Sequence, residues 1–164
     1  MSVHNQSLFK DTGIPDLRDA GIVLVSTEWN DAVVNELVNG CVRTLRQYGI
    51  EKMEKIKVPG AIELPFACRR YFESKRNTEK RPDAIIVFGC VIRGETPHFE
   101  YVCQAVTQGI VQLNLTLPLP VIFGVLTVNT MEQAKERIGG KHGHKGEEAA
   151  ITALKMIAFN KSLF

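Results

Sequence analysis

Short apolar runs alternate along the chain with longer segments whose apolar residues recur at helical spacing. The continuous runs 20–26 and 84–92, AGIVLVS and AIIVFGCVI, predict strands that are buried on both faces. The run 119–127 predicts another buried strand, whereas 52–58 carries alternating polar residues and predicts a strand at the edge of a sheet. The pattern therefore predicts four strands.

Helical spacing of apolar residues predicts helices between and after these strands. Asn30 or Asp31 can cap the first helix, and Thr96 followed by Pro97 can begin the third. Strands that alternate with helices imply right-handed crossovers and a mainly parallel sheet covered on both faces, which is an α/β fold. The helices are predicted over 31–47, 62–75, 98–113, 131–138 and 147–159, with a glycine-rich loop before the last.

The chain has 164 residues, of which 45% are apolar and 23% charged, so it can bury one hydrophobic core. Residues 1–17 are polar and contain Gly13 and Pro15, which predicts an N-terminal arm. Residues 18–164 are predicted to form a single domain, because nothing in the pattern indicates a repeat or a second unit.

Charge and composition narrow the class of protein. A formal net charge of +2 gives no argument for nucleic acid or an acidic membrane as a partner. No segment approaches the ~20 apolar residues of a membrane-spanning helix, and residues 1–15 lack the apolar stretch of a secretory signal. The four cysteines form no CxxC pair and lie among apolar residues, as reduced, buried thiols do. We therefore expect a cytoplasmic protein.

The last predicted helix has almost no polar face, since alanines and large apolar residues fill most positions of AAITALKMIA, residues 149–158. A helix that is apolar nearly all round must be buried widely. It either contacts another subunit or lies wholly within the core, and in so small a domain the pattern favours self-association.

Ligands of open parallel sheets bind beyond the carboxyl ends of the strands, so the residues that follow each strand are the candidates for a site. Trp29 follows the first strand and is either a stacking platform for a flat heterocycle or a lid over the core or an interface. Gly60 after Pro59 predicts a tight turn that a ligand can approach closely. Glu63 opens the next helix, where the dipole alone already favours a carboxylate.

The stretch 89–102, GCVIRGETPHFEYV, carries a buried strand directly into Arg93, Glu95 and His98 at the start of a helix. A helix start offers free N–H groups and a positive dipole end, which suit an anion. The same dipole disfavours a charged imidazole, so His98 is a candidate for general acid–base catalysis. The alternative is a surface histidine without a catalytic role.

The segment 136–148, ERIGGKHGHKGEE, gathers Arg137 and Lys145 with two histidines among four glycines. Arginine is a bidentate ligand for phosphate, which favours an anion-binding loop, and a plain surface loop is the alternative. Nothing in the segment completes a metal site around the pair His142 and His144, so no metal is predicted. The chain contains neither GxxxxGK[ST] nor GxGxxG, so nucleotide sites of those kinds are not predicted.

Four segments in order resemble the lumazine synthase family over about residues 22–164: VPGAIELP (58–65), GCVIRGETPHFEYV (89–102), FGVLT (123–127) and ERIGGKHGHKGEEAA (136–150). The resemblance implies a flavodoxin-like, four-stranded parallel sheet in a three-layer α/β/α sandwich. It implies condensation of 5-amino-6-(D-ribitylamino)uracil with 3,4-dihydroxy-2-butanone 4-phosphate to 6,7-dimethyl-8-ribityllumazine, phosphate and water, without cofactor or metal. This reaction is the penultimate step of riboflavin biosynthesis.

The resemblance also implies sites between the subunits of a homopentamer, and some members of the family assemble pentamers into an icosahedral shell of 60 subunits. The short turn GGKHGHKG, residues 139–146, is closer to the shell-forming members than to pentamers with a longer insertion. We therefore expect the shell.

The uracil side of the site follows from the same resemblance. Trp29 would stack on the pyrimidine. The strand residues of the second motif would meet the pyrimidine mainly through backbone groups, and the residues after Gly60 would hold the ribityl chain. These residues are Ala61, Ile62, Glu63, Cys90, Val91 and Ile92.

The phosphate side is assigned in the same way. Glu95 and Thr96 would bind the phosphate substrate, helped by Arg137 of a neighbouring subunit. Phe123 would close the pocket across the interface.

Proton transfer is assigned to His98, with Lys145 and Glu148 as supporting groups and Glu148 orienting the imidazole. Two alternatives share the fold: a flavin-binding module without activity, and a shell protein whose assembly is its function. The first needs neither His98 nor Arg137, and the second would have lost the site residues. Their presence favours the enzyme.

The sequence departs from the family pattern at three positions. Ile62 stands where many members carry an aromatic residue, which predicts a looser pocket wall. Pro97 precedes the histidine where threonine or methionine is common, and His144 replaces an asparagine. None of these changes removes a reacting group.

Overall fold

A four-stranded parallel sheet runs through the centre of the computed structural model, which describes residues 12–164. The predicted four strands and the edge position of the second strand are confirmed. The spatial order is β2-β1-β3-β4, so β2 and β4 are the two edges. The strands are β1 (Ile22–Thr27), β2 (Met53–Val58), β3 (Ala84–Ile92) and β4 (Val121–Val128).

Helices cover both faces of the sheet, which confirms the three-layer α/β/α sandwich. The first two pack on opposite faces, and a single 3₁₀ turn, Ala61–Glu63, precedes the second. The helices are α1 (Asp31–Gln47), α2 (Leu64–Lys75), α3 (His98–Thr116), α4 (Met131–Lys135) and α5 (Lys145–Lys161).

Strand alternation divides the core into two halves. Ile22 and Leu24 of β1 pack with α1 and α5, whereas Val23 and Val25 of the same strand pack with α2 and α3. Every residue of β1 is buried, as expected for an inner strand covered on both faces. This rigid sheet fixes the positions of the loops at its carboxyl edge.

The glycine-rich segment differs from its prediction. Helix α4 ends at Lys135, and the following residues form a short antiparallel pair, β5 (Ile138–Gly140) and β6 (Gly143–His144). Gly139 and Gly143 have φ values of 115° and 74°, which are strained for other residues, so the glycines allow a turn instead of more helix.

Helix α5 begins at Lys145, two residues before its predicted start at 147. His144 caps it, because its Nδ1 accepts a hydrogen bond of 3.2 Å from the backbone N–H of Gly146. A histidine cap is not among the residues that sequence rules favour at this position, which explains the error.

The predicted arm, residues 1–17, is only partly described, since residues 1–11 lie outside the described part. Leu17 is buried, and Ile14 packs against the core half formed with α1 and α5. No helix of residues 12–164 is long and apolar enough to cross a membrane.

Candidate active site at the carboxyl edge of the sheet

The carboxyl ends of β1, β2 and β3 and the first turn of α3 surround a cavity of about 480 Å³. The order of the sheet brings these segments together although they are far apart in the sequence. Glu95 lies in the loop at the rim, between two residues that line the cavity. The predicted site residues that line it are Trp29, Ala61, Ile62, Glu63, Cys90, Val91, Ile92, Thr96 and His98.

Trp29 stands at the mouth of this cavity with 71% of its surface exposed. Its carbonyl oxygen accepts a hydrogen bond of 3.3 Å from the Thr27 hydroxyl at the end of β1. An indole this exposed contributes little to the core of its own chain, which excludes a core lid. Trp29 is therefore either a stacking platform for a flat heterocycle or a residue that covers an interface.

Asn30 is a site residue that sequence reasoning treated only as a helix cap. It occupies the N-cap position of α1 in the left-handed region, with φ 57° and ψ 40°, but its side chain makes no cap hydrogen bond. Instead its amide donates a hydrogen bond of 2.7 Å to the carbonyl of Cys90. The asparagine thereby joins the end of β1 to the end of β3 beside the cavity.

The turn after β2 brings a carboxylate close to the backbone. A Cβ added to Gly60 would lie 3.0 Å from Oε2 of Glu63, so a side chain here would crowd the carboxylate. Ala61 is buried beneath the turn, whereas Ile62 is 48% exposed and presents an apolar surface to the cavity. The turn can therefore offer a substrate both a carboxylate and an apolar wall.

Cys90 lines the cavity but is not a nucleophile at neutral pH. Burial raises the pKa of its thiol to about 11, so the sulfur stays protonated. Cys90 lines the cavity together with Val91 and Ile92, the last residues of β3.

Helix α3 begins at the predicted residue, but its N-cap differs from the prediction. The helix begins at His98, and Pro97, not Thr96, occupies the N-cap position without a side-chain cap hydrogen bond. Proline fixes φ at −61°, but the ψ of −2° is far from the helical value, so the regular helix starts one residue later. Thr96 is exposed and is one of the residues that line the cavity.

Phe123 and Lys145 lie elsewhere in the chain. A second groove, also of about 480 Å³, runs along the outer edge of β4 and α5 and is lined by both residues and by Glu148. Lys145 donates hydrogen bonds of 2.7 and 2.8 Å to the two carboxylate oxygens of Glu148. Within one chain Glu148 therefore pairs with lysine and does not line the cavity that holds His98.

Arg137 lines neither cavity nor groove. It is half-buried after α4, where its Nη1 donates a hydrogen bond of 2.7 Å to the carbonyl of Gln133. The two histidines of the HxH pair diverge: His142 faces Glu136 at 3.5 Å, and His144 faces Glu36 at 3.4 Å. Across residues 12–164 no three histidine, cysteine or acidic residues form a group that could hold a metal.

Together these groups can bind a flat heterocycle and move protons. The cavity offers an aromatic surface, a carboxylate, backbone groups of a strand end and an imidazole on the first turn of a helix. Phe123 and Lys145 line the separate groove along β4, and Arg137 lines neither, so one chain does not bring the whole predicted set together.

Comparison with known proteins gives a consistent result over nearly the whole chain. The model of the family described as 6,7-dimethyl-8-ribityllumazine synthase matches residues 19–161. Proteins of that name from Parabacteroides distasonis and Porphyromonas gingivalis are each 46% identical, over 95% and 96% of this chain and 96% of their own lengths. The protein of that name from Bacteroides fragilis is 49% identical over 85% of this chain and 96% of its own length.

Proposed function

Because the chain belongs to the 6,7-dimethyl-8-ribityllumazine synthase family, we propose that it is a transferase of riboflavin biosynthesis. It condenses 5-amino-6-(D-ribitylamino)uracil with 3,4-dihydroxy-2-butanone 4-phosphate and releases 6,7-dimethyl-8-ribityllumazine, phosphate and water. The observation that carries the proposal is the cavity at the carboxyl edge of the sheet, which is lined both by an exposed indole and by an imidazole at a helix start.

The uracil occupies the cavity against Trp29, and its edge hydrogen-bonds to the backbone of Cys90, Val91 and Ile92. Base–aromatic stacking on an exposed ring is worth ~1–3 kcal/mol, which is enough to orient the ring for attack. Ala61, Ile62 and Glu63 hold the ribityl chain beside it. The exposed Ile62 leaves this wall more open than an aromatic residue would.

The reaction begins when the uracil amine attacks the ketone, and the carbinolamine loses water to give an imine. A proton is then lost and phosphate leaves, after which ring closure and a second loss of water complete the product. Each step moves a proton, and His98 is the group at the cavity that accepts and returns it. Holding two substrates in line supplies further acceleration through proximity.

Phosphate is bound by Glu95 and Thr96 at the rim, with the free N–H groups at the start of α3. Arg137 of a neighbouring copy supplies the positive charge that stabilises the departing phosphate, and that copy's Phe123 and Lys145 complete the wall. The proposal agrees with the division of the predicted residues between two separate surfaces of one chain.

Self-association is part of the proposal, with a homopentamer as the unit and a 60-subunit icosahedral shell as the larger assembly. The sequence contains no charged residue from Tyr101 to Met131, although Tyr101, Val111 and Leu115 are 68%, 51% and 74% exposed. An uncharged, apolar face of this length favours contact between copies. All four cysteines are free thiols, which suits the cytoplasm.

A direct test follows lumazine fluorescence and free phosphate together after mixing the protein with both substrates. We expect the two signals to rise in step, and His98→Asn to slow both by about 10²- to 10⁴-fold while circular dichroism stays unchanged. A rate unaffected by His98→Asn would remove the proton-transfer role. No product above the uncatalysed background would overturn the synthase and leave the flavin-binding module.

A further inference from the structure

The loop that joins β3 to α3, residues 93–97, is exposed throughout, yet it carries Glu95 and Thr96, which are proposed to bind phosphate. In the described part of the chain, neither of these side chains makes a hydrogen bond that would hold the loop. Exposed segments with few contacts open locally at little free-energy cost. A site on this loop therefore needs contacts that tie the loop to the neighbouring elements and so fix its shape.

Arg93 makes contacts at both ends of this loop. Its backbone N–H donates a hydrogen bond of 2.9 Å to the carbonyl of Val128, which continues the pairing of β3 with β4. Its Nε donates a hydrogen bond of 2.8 Å to Oδ1 of Asn129, just after β4. The start of the loop is thus tied to the neighbouring strand end.

The same guanidinium reaches the far end of the loop. Its Nη1 donates a hydrogen bond to Oε1 of Glu100, and its Cζ lies 4.3 Å from the centre of the Phe99 ring. The hydrogen bond from Arg93 holds the pKa of the Glu100 carboxyl below its usual range, so the pair is ionic at neutral pH. Both partners directly follow His98 on the first turn of α3.

Asn129 is itself held in place, because its backbone N–H donates a hydrogen bond of 2.8 Å to Oε1 of Gln133 on α4. Phe99 lines the cavity, whereas Arg93 does not. The arginine therefore supports a residue of the cavity wall without lining the cavity itself.

We propose that Arg93 is a positioning residue, whose side chain clamps residues 93–100 into the conformation in which Glu95, Thr96 and His98 face the substrates. One planar group can do this because the guanidinium presents several donors in a fixed fork and stacks on an aromatic ring at the same time. The inference rests on the proposed function for its kinetic test.

The competing account is that Arg93 binds the substrate phosphate directly. The geometry favours the clamp, because the donors on Nε and Nη1 already have protein partners and the guanidinium face lies against Phe99. The two accounts predict opposite effects of Glu100→Gln. If Arg93 is a clamp, loss of the Glu100 carboxylate weakens its hold on the loop. If Arg93 binds the phosphate, the same loss frees the guanidinium for the substrate and removes a nearby negative charge.

The experiment measures kcat and both KM values for Arg93→Met, Glu100→Gln and Arg93→Lys. We expect Arg93→Met and Glu100→Gln to lower kcat/KM for the phosphate substrate by about 10- to 100-fold, with a smaller change in KM for the uracil. Arg93→Lys should retain only part of the wild-type kcat/KM, because an ammonium cannot both donate several hydrogen bonds in a fixed geometry and stack on the Phe99 ring. Glu100→Gln with an unchanged or higher kcat/KM for the phosphate substrate overturns the clamp.

Arg70→Met is the matched control, because Arg70 is also an exposed arginine paired with a glutamate, Glu73, but lies on α2. Hydrogen exchange of the amides of Arg93 and Glu100, which donate to the carbonyls of Val128 and Pro97, gives a second readout that does not need activity. We expect exchange about threefold faster or more in Arg93→Met and Glu100→Gln than in wild type and Arg70→Met. Equal exchange in all four proteins overturns the clamp.

The two readouts separate the failure of the clamp from the failure of the proposed function. A wild-type protein that makes no lumazine contradicts the function, and the exchange measurement still decides whether Arg93 orders the loop.

Discussion

Single residues at the mouth of the cavity are fixed by bonds that reach far along the chain. Asn30 binds the carbonyl of Cys90, 60 positions away, and Arg93 binds Asn129, 36 positions away. These bonds hold the backbone on both sides of the cavity. The side chain of Trp29 stays exposed, which suits a surface that receives a flat substrate.

Replacing Trp29 tests this interpretation. We expect Trp29→Ala to raise the KM for the uracil by about 10-fold or more through loss of ~1–3 kcal/mol of stacking, and Trp29→Phe to raise it much less. The midpoint of urea unfolding should hardly change, because the indole is 71% exposed. Steady-state kinetics and urea titration check both statements.

Phe164→Ala serves as the control, since it removes a fully exposed aromatic ring at the last residue of the sequence, away from the cavity. An unchanged KM in Trp29→Ala would contradict the stacking role. A large loss of stability would instead indicate that the indole packs in an interface.

At the scale of elements, the contact between α1 and α5 depends on a histidine that fills a gap left by glycines. The ring of His144 is buried at the start of α5, and its Nε2 lies 3.4 Å from Oε1 of Glu36. Partial burial alone would raise the pKa of Glu36, but hydrogen bonds from His144 and Arg43 outweigh it and lower that pKa. The helix end that carries Lys145 is therefore fixed by this ring.

Gly40 of α1 leaves the space that the ring occupies. A Cβ at Gly40 would lie 2.0 Å from Cε1 of His144, so Gly40→Ala must displace the imidazole. We expect a loss of ~1–3 kcal/mol in the free energy of unfolding, despite the better helix propensity of alanine. Urea unfolding at neutral pH measures it.

A double variant provides the control for this contact. Asparagine is shorter than histidine and also caps helices, so Gly40→Ala combined with His144→Asn should be more stable than Gly40→Ala alone. If the loss in the free energy of unfolding of the double variant equals the sum of the losses in the two single variants, the imidazole ring and a side chain at position 40 do not compete for the same space.

The elements themselves could largely be predicted from the sequence, because apolar residues recur every second residue in a half-buried strand and about every 3.6 residues in a helix. Strand β3 matches its predicted range, and α1 does as well. The pair β5–β6, the cap by His144 and the N-cap position of Pro97 could not be predicted, since each depends on local dihedral angles or on packing against α1. The bonds made by Asn30 and Arg93 leave no local signal, because their partners lie in other elements.

For the whole molecule, the proposal that copies associate rests mainly on the outward face of α3. The helix contains no charged residue after Glu100, and β4 beside it is an edge of the sheet in the described part of the chain. The groove along β4 is lined by Phe123 and Lys145, two of the predicted site residues. Assembly and activity are therefore expected to depend on each other.

Charge placed on this face should separate the copies. We expect Leu115→Lys to reduce the particle mass towards the 18.3 kDa of one chain and to lower activity in parallel, because a buried unpaired charge is costly. Analytical ultracentrifugation and the lumazine assay measure the two effects. Leu163→Lys, at an exposed position after α5, is the matched control and should change neither; full activity in a monomeric Leu115→Lys would contradict a shared site.

The central claim, that the chain makes lumazine at sites shared by two copies, is tested most directly by mixing two inactive variants. His98→Asn and Arg137→Ala damage opposite sides of the proposed site, so random co-assembly leaves about one quarter of the sites with both wild-type residues. We expect each variant alone to be nearly inactive and the co-assembled mixture to recover about a quarter of the wild-type rate. A mixture no more active than the average of its two components would contradict the shared site.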